Sequence, residues 1–214
     1  MSERSDVELM LATAGGDEEA FGDLVVRHRN AIVNLAHRYL RNRADADDLA
    51  QQVFLKVYRA RKRYRPDAKF TTWLYRVAVN ACLNEVRNRK RRVTWVAASL
   101  DGGADADAGA SAGSRLADTA GEAPPDFVEK EELKERVRDA VAQLPERQRL
   151  AILLNKFHGL SYEELAETLD MTIPGVKSLL VRARENVRTT IEPYLRTGAS
   201  GADVLQPGKR RGTA

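Results

Sequence analysis

The chain has 214 residues, of which 43% are hydrophobic and 31% charged, with 35 Lys and Arg against 31 Asp and Glu. The apolar fraction can supply a core, which excludes whole-chain disorder. No stretch approaches the roughly 20 apolar residues of a membrane span, and Met1-Ser2-Glu3-Arg4-Ser5-Asp6 opens too polar for a secretory signal. Cys82 is the only cysteine, so an intrachain disulfide and a cysteine-rich metal site are excluded, as suits a soluble, cytoplasmic protein.

Charge and composition divide the chain into blocks. Residues 1–95 carry 19 basic and 12 acidic residues, and residues 96–126 carry 1 and 6. Residues 127–195 are nearly balanced at 11 and 12, and residues 196–214 hold 4 and 1. The expected organisation is two folded blocks, a connector and a basic, disordered tail. The connector is rich in Ala, Gly and Asp and lacks aromatics, so it cannot offset its ordering entropy by burial. It reads as a flexible acidic linker. It is either a plain spacer or an acidic strand that mimics nucleic acid in a basic channel.

Three helices are expected in the first block. Phe21, Leu24, Val25, His28, Ile32, Leu35, Ala36 and Tyr39 recur at helical spacing. His28 lies on this stripe and reads as a core or boundary residue, since nothing near it has metal-ligand spacing. Ala46, Leu49, Ala50, Val53, Phe54 and Val57 form the second stripe. Asp45, Asp47 and Asp48 crowd its start, where the helix dipole favours carboxylates. Gln51 and Gln52 lie on its polar side, and capping does not explain them. The third stripe is Trp73, Leu74, Val77, Ala78, Ala81 and Cys82, with Thr71 or Thr72 placed to cap it.

Between the second and third helices the chain is strongly basic. Lys56 to Arg76 contains eight cations, Arg63, Arg65 and Lys69 among them, against one acid. Tyr64, Phe70, Trp73 and Tyr75 are interleaved. Cations that track phosphate beside aromatic faces suit single-stranded nucleic acid. A second run, Arg87 to Arg92, holds five cations in six residues. A solvated face is the plainer reading of one such run, but here two runs flank one aromatic-bearing helix.

The second block opens with a stripe at Leu133, Val137, Ala140, Val141 and Leu144. Pro145 starts the next helix, Leu150, Leu153, Leu154 and Phe157 form its inner face, and Gly159 ends it. Ser161 and Glu164 match a capping box. A short helix, the turn Asp170-Met171-Thr172 and a further helix follow, with Val176, Leu179, Leu180, Ala183 and Val187 inward. This is a helix-turn-helix or, more plainly, a helical hairpin with basic outer residues. As a helix-turn-helix it would set its second helix in the major groove.

Two pairs of stretches together resemble the extracytoplasmic-function subgroup of bacterial RNA polymerase sigma factors. The first pair is Asp45 to Phe54 (DADDLAQQVF) with Phe70 to Asn80 (FTTWLYRVAVN). The second is Gly159 to Ala166 (GLSYEELA) with Gly175 to Glu185 (GVKSLLVRARE). The resemblance covers roughly residues 18–92 and 127–192. It implies an all-α fold of two small domains. Sigma region 2 (1–95) would be a three-helix domain, joined by the linker (96–126) to the region 4 helix-turn-helix (127–195).

The resemblance also implies site residues. Asp45, Asp48, Gln51, Gln52 and Phe54 would dock on core RNA polymerase, which is bound through its β′ and β subunits. Lys69, Phe70 and Thr71 match the loop that captures a flipped base of the −10 element, and Asn80 matches a residue that reads the melted strand. Arg63, Arg65, Trp73 and Arg76 belong to the same expected −10 surface. Lys177, Ser178, Val181, Arg182 and Arg184 match positions on the −35 duplex, and Val181 stands where the family commonly has an aromatic.

The expected function is therefore promoter-specific transcription initiation with core polymerase and promoter DNA as partners, under an anti-sigma factor. No catalytic group, metal, cofactor or small-molecule substrate is implied. A stand-alone helix-turn-helix regulator and a sigma-like decoy are the alternatives. A metal-dependent nucleic-acid enzyme would rest on Asp45, Asp47 and Asp48.

Overall fold

The structure is a computed structural model that describes residues 4–100 and 125–197. Among these residues it is entirely helical, as expected. The connector between 101 and 124 and the tail from 198 lie outside the described residues. No described helix is long and apolar enough to cross a membrane.

The N-terminal half has four helices, not three. The additional one is α1 (Asp6–Ala14). Ser5 accepts from the Glu8 N–H while the Glu8 carboxylate accepts from the Ser5 N–H, a complete capping box. Leu9 and Met10 are fully buried. Gly16 then turns the chain at φ +104°, a left-handed conformation that glycine adopts without Cβ strain. Asp17 caps α2 (Glu18–Leu40) by accepting from Ala20 N–H at 2.9 Å. His28 is a boundary residue, with Nε2 2.8 Å from the Asp6 carboxylate of α1.

Asn42 caps α3 (Arg43–Ala60), whose expected stripe is buried throughout. A short 3-10 turn, Arg61–Arg63, leads into the basic loop. The next helix, α4 (Phe70–Leu100), differs from expectation at both ends. Its first turn closes with the Trp73 N–H donating to the Lys69 carbonyl at 3.2 Å, so Thr71 and Thr72 lie inside it and do not cap it. At its far end it continues past residue 95 into the segment read as linker. Side-chain composition there does not forbid a helix. Ala, Leu and the preceding Arg and Lys are all good helix formers.

The C-terminal half contains α5 (Pro125–Gln143), α6 (Glu146–Phe157), α7 (Tyr162–Leu169) and α8 (Ile173–Thr197). The expected caps form. Gly159 adopts φ +68° after α6, and Ser161 and Glu164 make their box at α7. Asp170 takes a left-handed turn at φ +53°. Thr172 Oγ1 accepts from Gly175 N–H at 3.3 Å at the start of α8. A Cβ on Gly175 would sit 3.2 Å from that same oxygen, so the turn favours glycine.

The two halves are not separate bodies on a tether. Leu150, Ala151, Ile152, Leu153 and Leu154 of α6 are all buried, so the middle of the helix, apolar through more than one full turn, must be covered on every side. α6 packs on α8 and α7 within its half and on α2 across the boundary, while α7 packs on α4. Polar contacts seal the joint. Arg149 donates to the Tyr39 carbonyl at 3.0 Å and to the Ala142 carbonyl, with its guanidinium over the Tyr39 ring. Arg38 lies 3.9 Å over the Phe157 ring. Arg41, itself left-handed at φ +57°, reaches Glu135 and Asp139 of α5. Tyr75 and His158 share a 3.0 Å hydrogen bond through the phenolic oxygen and Nδ1.

Two measurements follow from this packing. Met10→Ala removes a fully buried side chain that ties α1 to the core, so denaturant unfolding should show a loss of about 2–5 kcal/mol. A loss below 1 kcal/mol would mean α1 is not part of the folded unit. The second concerns His158. Burial, with a smaller contribution from the Arg38 charge, holds its imidazole pKa below the ordinary value. The folded chain then binds fewer protons here than the unfolded chain. This stability is present above about pH 6.5, the unfolded value, and is lost as the pH falls towards the lower folded value. The melting temperature should therefore drop between pH 7.5 and 5.5, and His158→Gln should flatten that dependence. Identical pH slopes in both proteins would contradict it.

Candidate nucleic-acid and polymerase interfaces

Three exposed faces collect nearly all the residues singled out from the sequence. The first is on α3. With Leu49, Ala50, Val53, Phe54 and Val57 turned inward, Asp48, Gln51, Gln52, Leu55, Lys56 and Arg59 form an outward stripe. Two expected members differ. Phe54 is only 7% exposed and belongs to the core, because it lies on the same helical face as Ala50 and Val57. It can shape this face from beneath but cannot touch a partner there. Asp45 is half buried and pairs with Arg89 of α4 at 2.6 Å. Asp47 pairs with Arg29 of α2 at 2.9 Å, so two of the three clustered aspartates neutralise cations of this chain. Leu55, an apolar side chain 54% exposed in the middle of the stripe, went unremarked in the sequence although its spacing from Gln51 and Gln52 places it there.

The second face is the loop from Arg61 to Lys69 with the first turns of α4. Four rings organise it. Tyr64 stands 5.0 Å from Trp73 and 6.1 Å from Phe70, and Phe70 stands 5.4 Å from His28. Tyr64 and Phe70 are 6% and 2% exposed. Phe70 is therefore packed in the core and, of the three residues matched to the base-capturing loop, is the one with no surface of its own to offer. It anchors the loop on α2 and leaves Trp73, half buried, as the ring nearest the surface. Tyr75 is also buried, against His158.

The polar members face outward. Arg63, Arg65, Thr72, Trp73 and Arg76 line a recess of about 220 Å³ together with Asp67, and Glu167 of α7 closes its other side. Thr71 is half buried, whereas Lys69 and Asn80 are exposed. Trp73, Arg76 and Asn80 fall at i, i+3 and i+7 and so share one edge of α4. Two cations of this face already have partners. Lys69 Nζ is 2.9 Å from Glu164 Oε1, and Arg76 is 4.0 Å from Asp170. The Lys69–Glu164 contact raises the pKa of the lysine and lowers that of the carboxyl, each holding the other in its charged form.

The third face is on α8. Val176, Leu180 and Ala183 are buried, which turns Lys177, Ser178, Val181, Arg182 and Arg184 outward as expected. Val181 is 63% exposed, an apolar contact point among cations. Ser178 and Arg182 border a shallow groove with Met171, Pro174, Gly175 and Leu179. A short helix, a tight turn and a basic second helix with this exposure can enter a DNA major groove.

Comparison with known proteins agrees with this geometry. Residues 24–92 match the sigma-70 region 2 family and residues 134–187 match sigma-70 region 4. The chain is 36% identical over 197 residues to the ECF RNA polymerase sigma-E factor of Escherichia coli K12, covering 92% of this chain and all of that one. It is 34% identical to the RNA polymerase sigma-H factor of Pseudomonas aeruginosa, covering 92% of this chain and 98% of that one. The fold is similar to CnrH solved with the cytosolic domain of CnrY, with a TM-score of 0.61 and 23% identity over 89% of this chain and 99% of that one. It is also similar to the sigma factor RpoE solved with the anti-sigma factor NepR from Bartonella quintana, with a TM-score of 0.58 and 22% identity over 80% and 96% of the two chains. Two matched modules in this order, and relatives aligned over nearly their whole length, leave one conclusion. The chain belongs to the extracytoplasmic-function subgroup of the sigma-70 RNA polymerase sigma factors, DNA-binding transcription initiation factors that are not enzymes.

Proposed function

We propose how this sigma factor divides its work among the three faces. Asp48, Gln51, Gln52 and Leu55 dock on the β′ subunit of core polymerase. Arg63, Arg65, Lys69, Thr71, Trp73, Arg76 and Asn80 hold the melted −10 strand. Lys177, Ser178, Val181, Arg182 and Arg184 grip the −35 duplex. Region 2 occupies residues 1–95 and region 4 residues 127–195, with the acidic connector between them. The protein works in the cytoplasm, where an anti-sigma factor holds it in reserve. Support for that partner comes from the fold it shares with CnrH, solved with the cytosolic domain of CnrY, and with RpoE, solved with the anti-sigma factor NepR.

The observation that carries the division is the contrast in chemistry among the faces. The α3 face is amide-rich and mixed in charge, which suits a protein partner. The loop face is cationic with Trp73 at its edge, which suits unpaired bases on a phosphate chain. The α8 face is a basic helix with one apolar point at Val181, which suits base edges and a thymine methyl in a major groove. Phosphate contacts position such a helix, and base contacts give it specificity.

The test is transcription reconstituted from this protein, core polymerase and a pool of genomic promoter fragments. Transcripts that depend on the protein are expected. Gln51→Ala with Gln52→Ala should abolish them and weaken the complex with core on gel filtration, while −35 duplex binding by the free chain is unchanged. Loss of duplex binding in that variant would assign the glutamines to DNA or to folding instead. Arg182→Ala should cost about 1–3 kcal/mol at one −35 base position if the guanidinium is bidentate to that base. An equal loss on every −35 sequence would make it a phosphate contact.

A further inference from the structure

The basic loop face is edged by the protein's own C-terminal half, with Glu164, Glu167 and Asp170 beside its cations. α7 and the residue after it carry Glu163, Glu164, Glu167 and Asp170 with no cation among them. Three of these carboxylates meet the basic face one after another. Glu164 pairs with Lys69 at 2.9 Å, Glu167 closes the recess lined by Arg63, Arg65 and Arg76, and Asp170 lies 4.0 Å from Arg76. Residues 164, 167 and 170 are three apart, which on a helix is roughly 4.5 Å of rise per carboxylate. A nucleic-acid strand presents one phosphate per about 3.4 Å of rise. α7 and its cap residue thus offer this surface three negative charges in succession, as a strand offers its phosphates.

The rest of the joint holds that row in place. Tyr75 on α4 bonds His158, which directly precedes the turn into α7. Arg149 anchors α6 to the Tyr39 carbonyl. Leu160, Leu165, Ala166 and Leu169 put the apolar side of α7 into the common core. The acidic edge therefore sits on the loop face as part of the packed structure.

We propose that α7 is an internal competitor for the promoter strand. Its carboxylates stand in for strand phosphates on Arg63, Arg65, Lys69 and Arg76, so the free chain is closed to single-stranded DNA until the two halves separate. The inference rests on the reading of the loop face as the strand-binding one. It gives core polymerase a second task besides alignment. Docking must pull α7 off α4 before the face can open, and any partner that clamps the halves together keeps it shut.

The experiment uses the full chain and a fluorescent twelve-nucleotide dT oligomer, since a phosphate-driven contact does not need the promoter sequence. Glu164→Gln, Glu167→Gln and Asp170→Asn are combined. Gln still completes a capping box at 164, and Asn tolerates the left-handed turn at 170, so the fold is retained. A matched control, Glu18→Gln with Glu19→Gln and Asp23→Asn, makes the same change in net charge on α2. Spin labels at Asn34→Cys and Arg188→Cys, both exposed positions, report the separation of the halves.

The acidic-edge variant should bind the oligomer at least tenfold more tightly than the wild type and the control, and its label distances should gain a longer population. Arg63→Ala with Arg65→Ala should remove that gain. Equal affinities for all three proteins, with binding that still needs Arg63 and Arg65, would overturn the competitor and leave the strand-face reading standing. Longer distances with no oligomer binding in any protein would overturn the strand-face reading, and the competitor with it. Tighter binding at unchanged distances would also overturn the proposal, because the acids would then act by repulsion from where they stand rather than by occupying the face.

Discussion

A run of five consecutive buried residues, Leu150 to Leu154, sets the arrangement of the whole molecule. A stretch of helix that is apolar on every side cannot be left with one face in water. At about 25 cal/mol per Å² of apolar surface, exposing even one leucine costs on the order of 2 kcal/mol. α8 and α7 cover two sides of α6, and α2 of the other half covers the third. Once α6 lies against α2, Arg149 reaches the Tyr39 carbonyl and α7 falls across the start of α4. The joint between the halves, the fate of Tyr75 and the acidic edging of the basic loop face all follow from that placement.

Electrostatics then decide what the joint does. Most of its ion pairs are at least partly exposed, among them Lys69–Glu164 and Lys90–Glu146, and exposed pairs contribute little stability. The apolar contacts around α6 supply most of the hold between the halves, and the weak exposed pairs on the loop face shift how often the halves part. Two cations of the basic loop face are met by carboxylates of the C-terminal half, Lys69 by Glu164 and Arg76 by Asp170. Such a contact can be exchanged, because a nucleic-acid strand or a docking partner restores whatever charge pairing is lost. The two halves can therefore part without leaving a buried charge unpaired, the outcome that makes the opening of a buried ion pair so costly.

The same surface explains how the aromatic residues are used. Of the rings around the basic loop, Tyr64 and Phe70 are interior and hold the loop to α2, and Trp73 lies part-way to the surface beside the recess. A rigid loop of this kind keeps its cations and its one accessible ring in register, which a flexible basic segment would not. Display of Arg63, Arg65 and Arg76 around one recess gives the loop a defined shape as well as a charge.

Most of this was legible in the chain itself. Helices α2 to α8 announce themselves by apolar spacing, and the ends of α6, α7 and α8 by Gly159, Ser161 and Thr172, because caps and amphipathic faces are local in sequence. α1 carried the same kind of signal in its Ser5–Glu8 box, and its short apolar stretch hid it. The three outward faces were readable for the same reason: a residue opposite a buried stripe must point out. Local pattern does not say which aromatics go inside or what covers an exposed face. Phe54 and Phe70 were read as contact residues from the family resemblance, although the apolar spacing of α3 already placed Phe54 on the inner stripe. Only neighbours distant in sequence settle the matter. Tyr75 meets His158 across 83 positions and Lys69 meets Glu164 across 95. The helices and their faces were determined by the sequence alone, through periodicity and capping. The packing of α7 against α4 beside the basic face was decided only by tertiary structure, because it depends on how the buried middle of α6 finds its cover.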